Sequence, residues 1–227
     1  MYHIHDSMLS SSLNSPKPLA VVTCGPASAP IDSVRRITNF ATGEIGAILS
    51  QAFLKAGWEV ICLRGEGSTF PAPDGIDVRV FSTNDSLAAL LQSLPAAPSA
   101  IFHAAALCDF QVASIDGAGG MKKIPTRDGA LTLHLEPAPK ILPRLREWFP
   151  GAFIVGWKYE LDGDRSAALS KGAAQIRECR TNACVVNGAA FGPGFGILLP
   201  DGRVLEERDK TALAGALAGL RAPVSTL

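Results

Sequence analysis

The sequence predicts an α/β chain: a Rossmann-like, doubly wound and mostly parallel sheet with a β-hairpin appended near the C-terminus. Three observations point there. Short apolar runs without polar alternation recur along the chain, as strands do when helices cover both faces of a sheet. Between several of them, apolar residues fall at helical spacing. And the run "LAVVTCG" (19–25) leads through Gly25-Pro26 and the small-residue junction "TNFATGEIG" into the first helical pattern.

In order, "LAVVTCG" is the first strand, β-branched and compact. Ile45, Ile48, Leu49, Ala52 and Phe53 then mark a helix that Gly57 ends. "EVICLRG" (59–65) is a second strand, and "STNDSLAALLQSL" (82–94) offers Thr83 or Asn84 as the cap of a second helix. "AIFHAAAL" (100–107) is a third strand, which completes a βαβαβ unit. Gln111 to Ile124 is rich in Gly and Ala and reads as a long surface loop. "ALTLHLEP" (130–137) alternates as a strand with one solvated face. A short helix ("KILPRLREWFP"), a core strand ("AFIVGWKYEL"), a helix ("DRSAALSKGAAQIREC") and a strand ("NACVVNG") follow. "GFGILLPDGRVLEE" is a hairpin turning at Pro-Asp-Gly-Arg, placed at a sheet edge or a dimer contact, and "DKTALAGALAGL" is a closing helix.

Composition narrows the function classes. Twenty-one basic residues balance 21 acidic ones, so nothing argues for a nucleic-acid partner or a charged membrane surface. No apolar run is long enough to span a bilayer. Residues 1–18 lack the basic and apolar regions of a secretory signal and read as a flexible leader, with His3 and His5 solvated. Residues 19–227 then form one Rossmann-like domain. Five cysteines, odd in number and without a CxxC pair, read as buried reduced thiols in a cytoplasmic protein.

In an open parallel sheet, ligands collect at the carboxyl ends of the strands. That rule brings together 25–46, 104–109, and 157–160 with Asn187. Thr42, Gly43 and Gly46 suit close approach of an anion to a helix start, while Thr42 could equally be an N-cap. Asp109 could take ribose hydroxyls or Mg²⁺, or cap a turn. Lys122 and Lys123, on a glycine-rich segment, are either solvated charge or a source of cations for a triphosphate. Lys158, set in an apolar run, must snorkel or find an anion. Arg35 and Arg36 either hold a substrate phosphate or pair with Asp32. His103 and His134 read as structural.

Together "APIDSVRRITNFATGEIGAILSQAFLKAGWEVICLRGEGS", "AAALCDF", "KIP…LTLHLEPAPKIL", "GWKYELD" and "ACVVNG" resemble the phosphopantothenate–cysteine ligase family, over roughly residues 19–200. "PIDSVRRITNFATGEIG" is the most specific block, and the likeness is to the stand-alone, eukaryotic-like branch, for which no flavin is expected. The resemblance implies a ligase of coenzyme A biosynthesis. It would activate 4′-phosphopantothenate with a nucleoside triphosphate, ATP or CTP, and Mg²⁺ as an acyl nucleotide, which the cysteine amine then attacks.

The resemblance also implies residue roles. Asn39 would contact the acyl intermediate, and with Lys123, in the mobile lysine motif, it forms the catalytic pair; Lys122 is the alternative register. Nucleotide contacts fall to Thr42, Gly43, Gly46, Ala105, Ala106, Asp109, Lys122, Trp157, Lys158 and Lys171. Arg36, Asn39 and Asn187 would bind substrate, and Asp109 would serve any metal. Family members are commonly dimers, so a homodimer is expected, with 195–206 as a contact. One departure stands out: "GPAS" (25–28) replaces the family's Gly-Gly-Thr, and Pro26 lacks a backbone donor. That departure keeps open an altered or inactive family member that binds a nucleotide or phosphopantothenate without ligating them.

Overall fold

The structure is a computed structural model that describes residues 17–117, 122–125 and 129–220. The expected leader, including His3 and His5, lies almost entirely outside the described residues, as does much of the glycine-rich stretch before Lys122.

The strands are β1 (Leu19–Cys24), β2 (Ser28–Pro30), β3 (Arg36–Thr38), β4 (Glu59–Gly65), β5 (Asp77–Phe81), β6 (Ala100–His103), β7 (Phe110–Ile115), β8 (Leu133–Pro137), β9 (Phe153–Tyr159), β10 (Ala183–Asn187), β11 (Phe195–Leu198) and β12 (Val204–Glu207). The helices are α1 (Glu44–Lys55), α2 (Asn84–Gln92), α3 (Leu142–Trp148), α4 (Arg165–Cys179) and α5 (Lys210–Leu220). Eight strands form the main sheet in the order β12-β11-β10-β9-β6-β1-β4-β5. Pairing is parallel from β5 across to β10 and antiparallel for β11 and β12, so the hairpin extends the sheet edge. From β1 the chain builds outward to β4 and β5, then returns to lay β6 on the other side of β1. The topological switch point therefore lies between β1 and β6.

Apolar faces dictate where the helices sit. Leu49 and Phe53 of α1 and Leu213 and Leu217 of α5 bury against one face of the sheet. Leu87 and Leu91 of α2, Leu145 of α3 and Ala168 and Ile176 of α4 cover the other. Phe53 stacks edge-on against Trp58 at 5.1 Å and lies 4.6 Å from Phe102, joining α1 to the sheet. Thr83 caps α2, accepting from Ser86 N–H at 3.1 Å, and the Ser86 hydroxyl accepts from Thr83 N–H at 2.9 Å in return. Asp164 caps α4 by accepting from Ala167 N–H at 2.8 Å.

Four readings change. "DVRVF" is a strand, β5, so α2 returns from β5 and not from β4. Phe110–Ile115 is a strand and not loop: it pairs with β8 in a two-stranded ribbon off the main sheet, bulged between Val112 and Ser114. β8 is accordingly mostly exposed on both faces instead of having one buried face. Finally, β2 and β3 fold the segment after β1 into a small hairpin that the sequence reading left as part of the junction.

Candidate active site

The turn after β1 is stitched to the turn after β6. Ala106 N–H donates to Gly25 C=O at 2.9 Å and Ala27 N–H to Ala106 C=O at 3.0 Å, a parallel bridge centred on Pro26. In such a bridge the central residue turns its own N atom the other way, here toward Gly65: a Cβ there would lie 2.9 Å from Pro26 N and 2.3 Å from Pro26 O. Ser28 N–H is committed to Ser82 C=O at 2.8 Å. The donor that Pro26 lacks would thus have faced the end of β4.

The chain next runs through the β2–β3 hairpin to Asn39 and α1. Gly43, not Thr42, is the N-cap of α1, in the left-handed region at φ 80°, and the Thr42 hydroxyl accepts from Glu44 N–H at 3.3 Å. Gly46 faces β1: a Cβ on it would stand 2.1 Å from the Cβ of Cys24. This contact lets the first turn of α1 sit directly on the strand end, with early N–H groups lacking helical acceptors. Glu44, in that first turn, is paired with Lys210 of α5, so its charge does not oppose an incoming anion.

Two cavities open along the carboxyl edge of the sheet. The first, of about 590 Å³, is lined by Arg36, Asn39, Phe40, Thr42, Glu66 and Tyr159 among others. Asn39 Nδ2 donates to Leu107 C=O at 2.8 Å, which fixes the amide at the cavity wall. Arg36 pairs with Glu66 at 3.0 Å, both half-exposed, and Arg35 pairs with Asp32 at 3.3 Å. The second cavity, of about 730 Å³, runs over β6 and β9 toward α4 and is lined by Ala105, Ala106, Asp109, Trp157, Lys158, Lys171 and Asn187. Tyr159 borders both.

The two lysines that line the second cavity both pair with Glu160. Its carboxylate takes Lys171 on one oxygen and Lys158, at 3.6 Å, on the other. Lys171's hydrogen bond, and then both lysines' charge, hold the Glu160 carboxyl below the usual carboxylate range against the opposing effect of burial. Lys158 thus finds an anion, as its place in the apolar run required. Asp109 pairs with Lys140, and both are exposed. Two buried polar atoms here have no hydrogen-bond partner: Trp157 Nε1 and Asn187 Oδ1. Both atoms are shielded from the cavity surface, so they mark a dry wall and not a contact open to an occupant.

Lys122 and Lys123 are exposed and line neither cavity. Their segment is held to the 31–35 turn: Ser33 N–H donates to Lys122 C=O at 2.9 Å, Ile124 N–H to Asp32 at 3.2 Å, and Arg35 to Ile124 C=O at 2.9 Å. Lys140 and Gln175 of the cavity linings have no counterpart in the sequence reading, and Tyr159 falls within its 157–160 segment without a role of its own. Tyr159 had a signal, since it follows Trp157 and Lys158 at the end of the same strand. His134 pairs with Asp116 on the exposed ribbon, and among the described residues no group of three His, Cys, Asp or Glu side chains could hold a metal ion.

Residues 17–216 match the family described as the DNA/pantothenate metabolism flavoprotein C-terminal domain. The chain belongs to that family. It is 30% identical over 169 residues to the coenzyme A biosynthesis bifunctional protein CoaBC of Thermococcus kodakarensis, covering 74% of this chain and 40% of that protein. It is 29% identical over 218 residues to phosphopantothenate–cysteine ligase 2 of Oryza sativa subsp. japonica, covering 73% of this chain and 66% of the relative. The chain thus spans from two fifths to just under two thirds of these relatives' lengths. Among solved structures, the flavoprotein of this name from Streptococcus pneumoniae superposes with TM-score 0.79 at 21% identity, over 90% of this chain and 97% of the other. A Cab2 mutant in complex with phosphopantothenate-cysteine superposes with TM-score 0.66 at 22% identity, over 90% and 86%. These likenesses establish the fold: a mostly parallel α/β sheet with an added hairpin.

Proposed function

We propose that this family member is a ligase of coenzyme A biosynthesis, joining 4′-phosphopantothenate to cysteine through an acyl nucleotide. The observation that carries the reading is the meeting of two unlike cavities at Tyr159 beside the switch point. One offers a neutral amide, a hydroxyl and an arginine; the other offers lysines and a shielded wall. A ligase of this kind must bring two anions together, and such a division suits that task. The name of the Oryza relative supports the same activity, and that of the Thermococcus relative supports coenzyme A biosynthesis.

In this reading the nucleoside triphosphate, ATP or CTP, occupies the second cavity, with Trp157, Ala105 and Ala106 along it and Lys158 and Lys171 toward its phosphates. Phosphopantothenate lies in the first, its carboxylate beside Asn39 and Arg36 within reach of its charge, with Asn187 contributing from the lining of the second. The carboxylate attacks the α-phosphate and pyrophosphate leaves; the cysteine amine then attacks the acyl carbon and the nucleoside monophosphate leaves. Asn39 stabilises the acyl oxygen as a donor, while Thr42, Gly43 and Gly46 shape the anion seat at α1. Lys123, or Lys122 in the alternative register, lines neither cavity, so its part at the phosphates rests on the family resemblance and not on the geometry. Magnesium would arrive on the phosphates with at most Asp109 from the protein, which fits a donor set of one exposed carboxylate. The bridge geometry around Pro26 favours ligation over the binding-only alternative, because the missing donor faces β4.

Residues 19–227 act as one domain. A homodimer is supported by the exposed Val34 in the β2–β3 turn, Phe40 on the run from β3 to α1, and Phe110 and Leu135 on the β7–β8 ribbon, which packs against β2. A reducing, cytoplasmic setting is supported by five free buried cysteines. Among the described residues no helix is long and apolar enough to cross a membrane. The test is to supply Mg²⁺, 4′-phosphopantothenate and cysteine with ATP or CTP and weigh the products. A mass for the amide with one nucleotide is expected; folded protein that binds nucleotide without forming amide would establish the binding-only alternative.

A further inference from the structure

His103 closes β6 at the switch point and is only 6% exposed. Its Nδ1 lies 2.9 Å from the hydroxyl of Thr23, which is wholly buried at the end of neighbouring β1. The same hydroxyl oxygen accepts from Ala105 N–H at 3.3 Å. A hydroxyl carries one proton. With its oxygen accepting from Ala105, the network is complete when that proton goes to Nδ1, which puts the ring's own proton on Nε2. His103 lines the second cavity, and Nδ1 is taken, so Nε2–H is the group left for a bound molecule. Burial lowers the imidazole pKa to about 4, which keeps this donor neutral around pH 7.

The cavity is graded in polarity. Lys158 and Lys171, 36% and 50% exposed, stand toward its mouth. His103, Ile141 and Cys179, at 6%, 2% and 8%, form its inner wall. A nucleotide is polyanionic at one end and flat and largely apolar at the other, so its phosphates suit the lysines and its base the inner wall. We propose that His103 reads the nucleobase, donating Nε2–H to an acceptor on the base edge, with Thr23 as the positioning residue that fixes the tautomer. The inference rests on the nucleotide reading of this cavity given above. It assigns a ligand contact to a buried histidine that the sequence presents as structural.

The experiment measures, by calorimetry with Mg²⁺, binding of ATP, CTP and inorganic tripolyphosphate to the full chain and to His103→Leu, His103→Gln and Thr23→Val. His103→Leu is expected to weaken the preferred nucleotide more than tenfold while leaving tripolyphosphate unchanged. Gln, which keeps a donor, should recover part of the loss, and Thr23→Val should fall between Leu and wild type. Nitrogen-15 spectra of labelled histidine should show His103 protonated at Nε2 in the wild type and a mixed tautomer in Thr23→Val. Nucleotide binding at wild-type strength in both folded His103→Leu and Thr23→Val overturns the proposal, as does a wild-type proton on Nδ1. If His103→Leu fails to fold, Thr23→Val and the spectra decide. Wild-type protein that binds tripolyphosphate but neither nucleotide would instead bring down the nucleotide reading itself.

Discussion

A Cβ on Gly46 would lie 2.1 Å from the Cβ of Cys24, so the first turn of α1 rests directly on the end of β1. No L side chain fits there without moving one element. Gly46→Ala is expected to cost about 1–3 kcal/mol, as overpacking a tight core contact does. It should also shift the anion seat at Gly43 and lower turnover together with stability. Thermal unfolding and steady-state rates on the same sample check this; an unchanged midpoint would show that the helix yields freely.

Asn39→Asp should leave folding intact and stall amide formation. The Asn39 side chain is exposed and makes one bond, to Leu107 C=O at 2.8 Å, so little stability rests on it. An aspartate there would lose the donor and set negative charge against an anionic intermediate. Removing one such donor costs roughly 100- to 1000-fold in kcat. Single-turnover assays should show pyrophosphate release outlasting amide formation in the variant; full turnover would remove Asn39 from the reacting centre.

Lys171→Gln should weaken nucleotide binding and alter the acid limb of the stability curve. Lys171 is the main reason the Glu160 carboxyl lies below the usual range. For a lowered carboxylate pKa, the stabilising contribution is full above the ordinary glutamate value and lost as pH falls through that value toward the lowered one. The stability difference between wild type and Lys171→Gln should therefore be largest near neutrality and shrink on acidification. Urea midpoints from pH 3 to 7 measure it, and a difference that grows toward low pH would contradict the pairing.

His103 titrates with the opposite charge. Burial sets its pKa to about 4, against an ordinary value of about 6.5 in the unfolded chain. Below 6.5 the unfolded state binds the extra proton, so stability falls as pH drops from 6.5 to 4, by up to about 1.4 kcal/mol per unit. His103→Leu should flatten that stretch of the curve. An equal slope in the variant would place the titrating group elsewhere.

The parts legible in the sequence are those where local pattern and tertiary role agree. β1, β4, β6, β9 and β10 are buried on both faces, so their apolar runs stand out, and α1 and α2 carry caps or glycine stops at their ends. β5 was hidden because it is an edge strand with Asp77 and Arg79 in five residues. β7 was hidden because its bulge at Val112 and Ser114 breaks the period-2 alternation that identifies strands. The cavity residues Trp157, Lys158, Lys171 and Asn187 were reachable because strand ends and one helix position them. The engagement of Glu160 by two lysines and of His103 by Thr23 was not, because both depend on pairings between elements 11 and 80 residues apart.

Oxygen-18 tracing tests the central claim most directly. The full chain would be given 4′-phosphopantothenate labelled in its carboxylate, with cysteine, Mg²⁺ and ATP or CTP, and the products weighed. The account predicts one labelled oxygen in the nucleoside monophosphate and none in pyrophosphate. Label in inorganic phosphate beside a nucleoside diphosphate, or amide formed without any transfer of label, would contradict an acyl-nucleotide ligase.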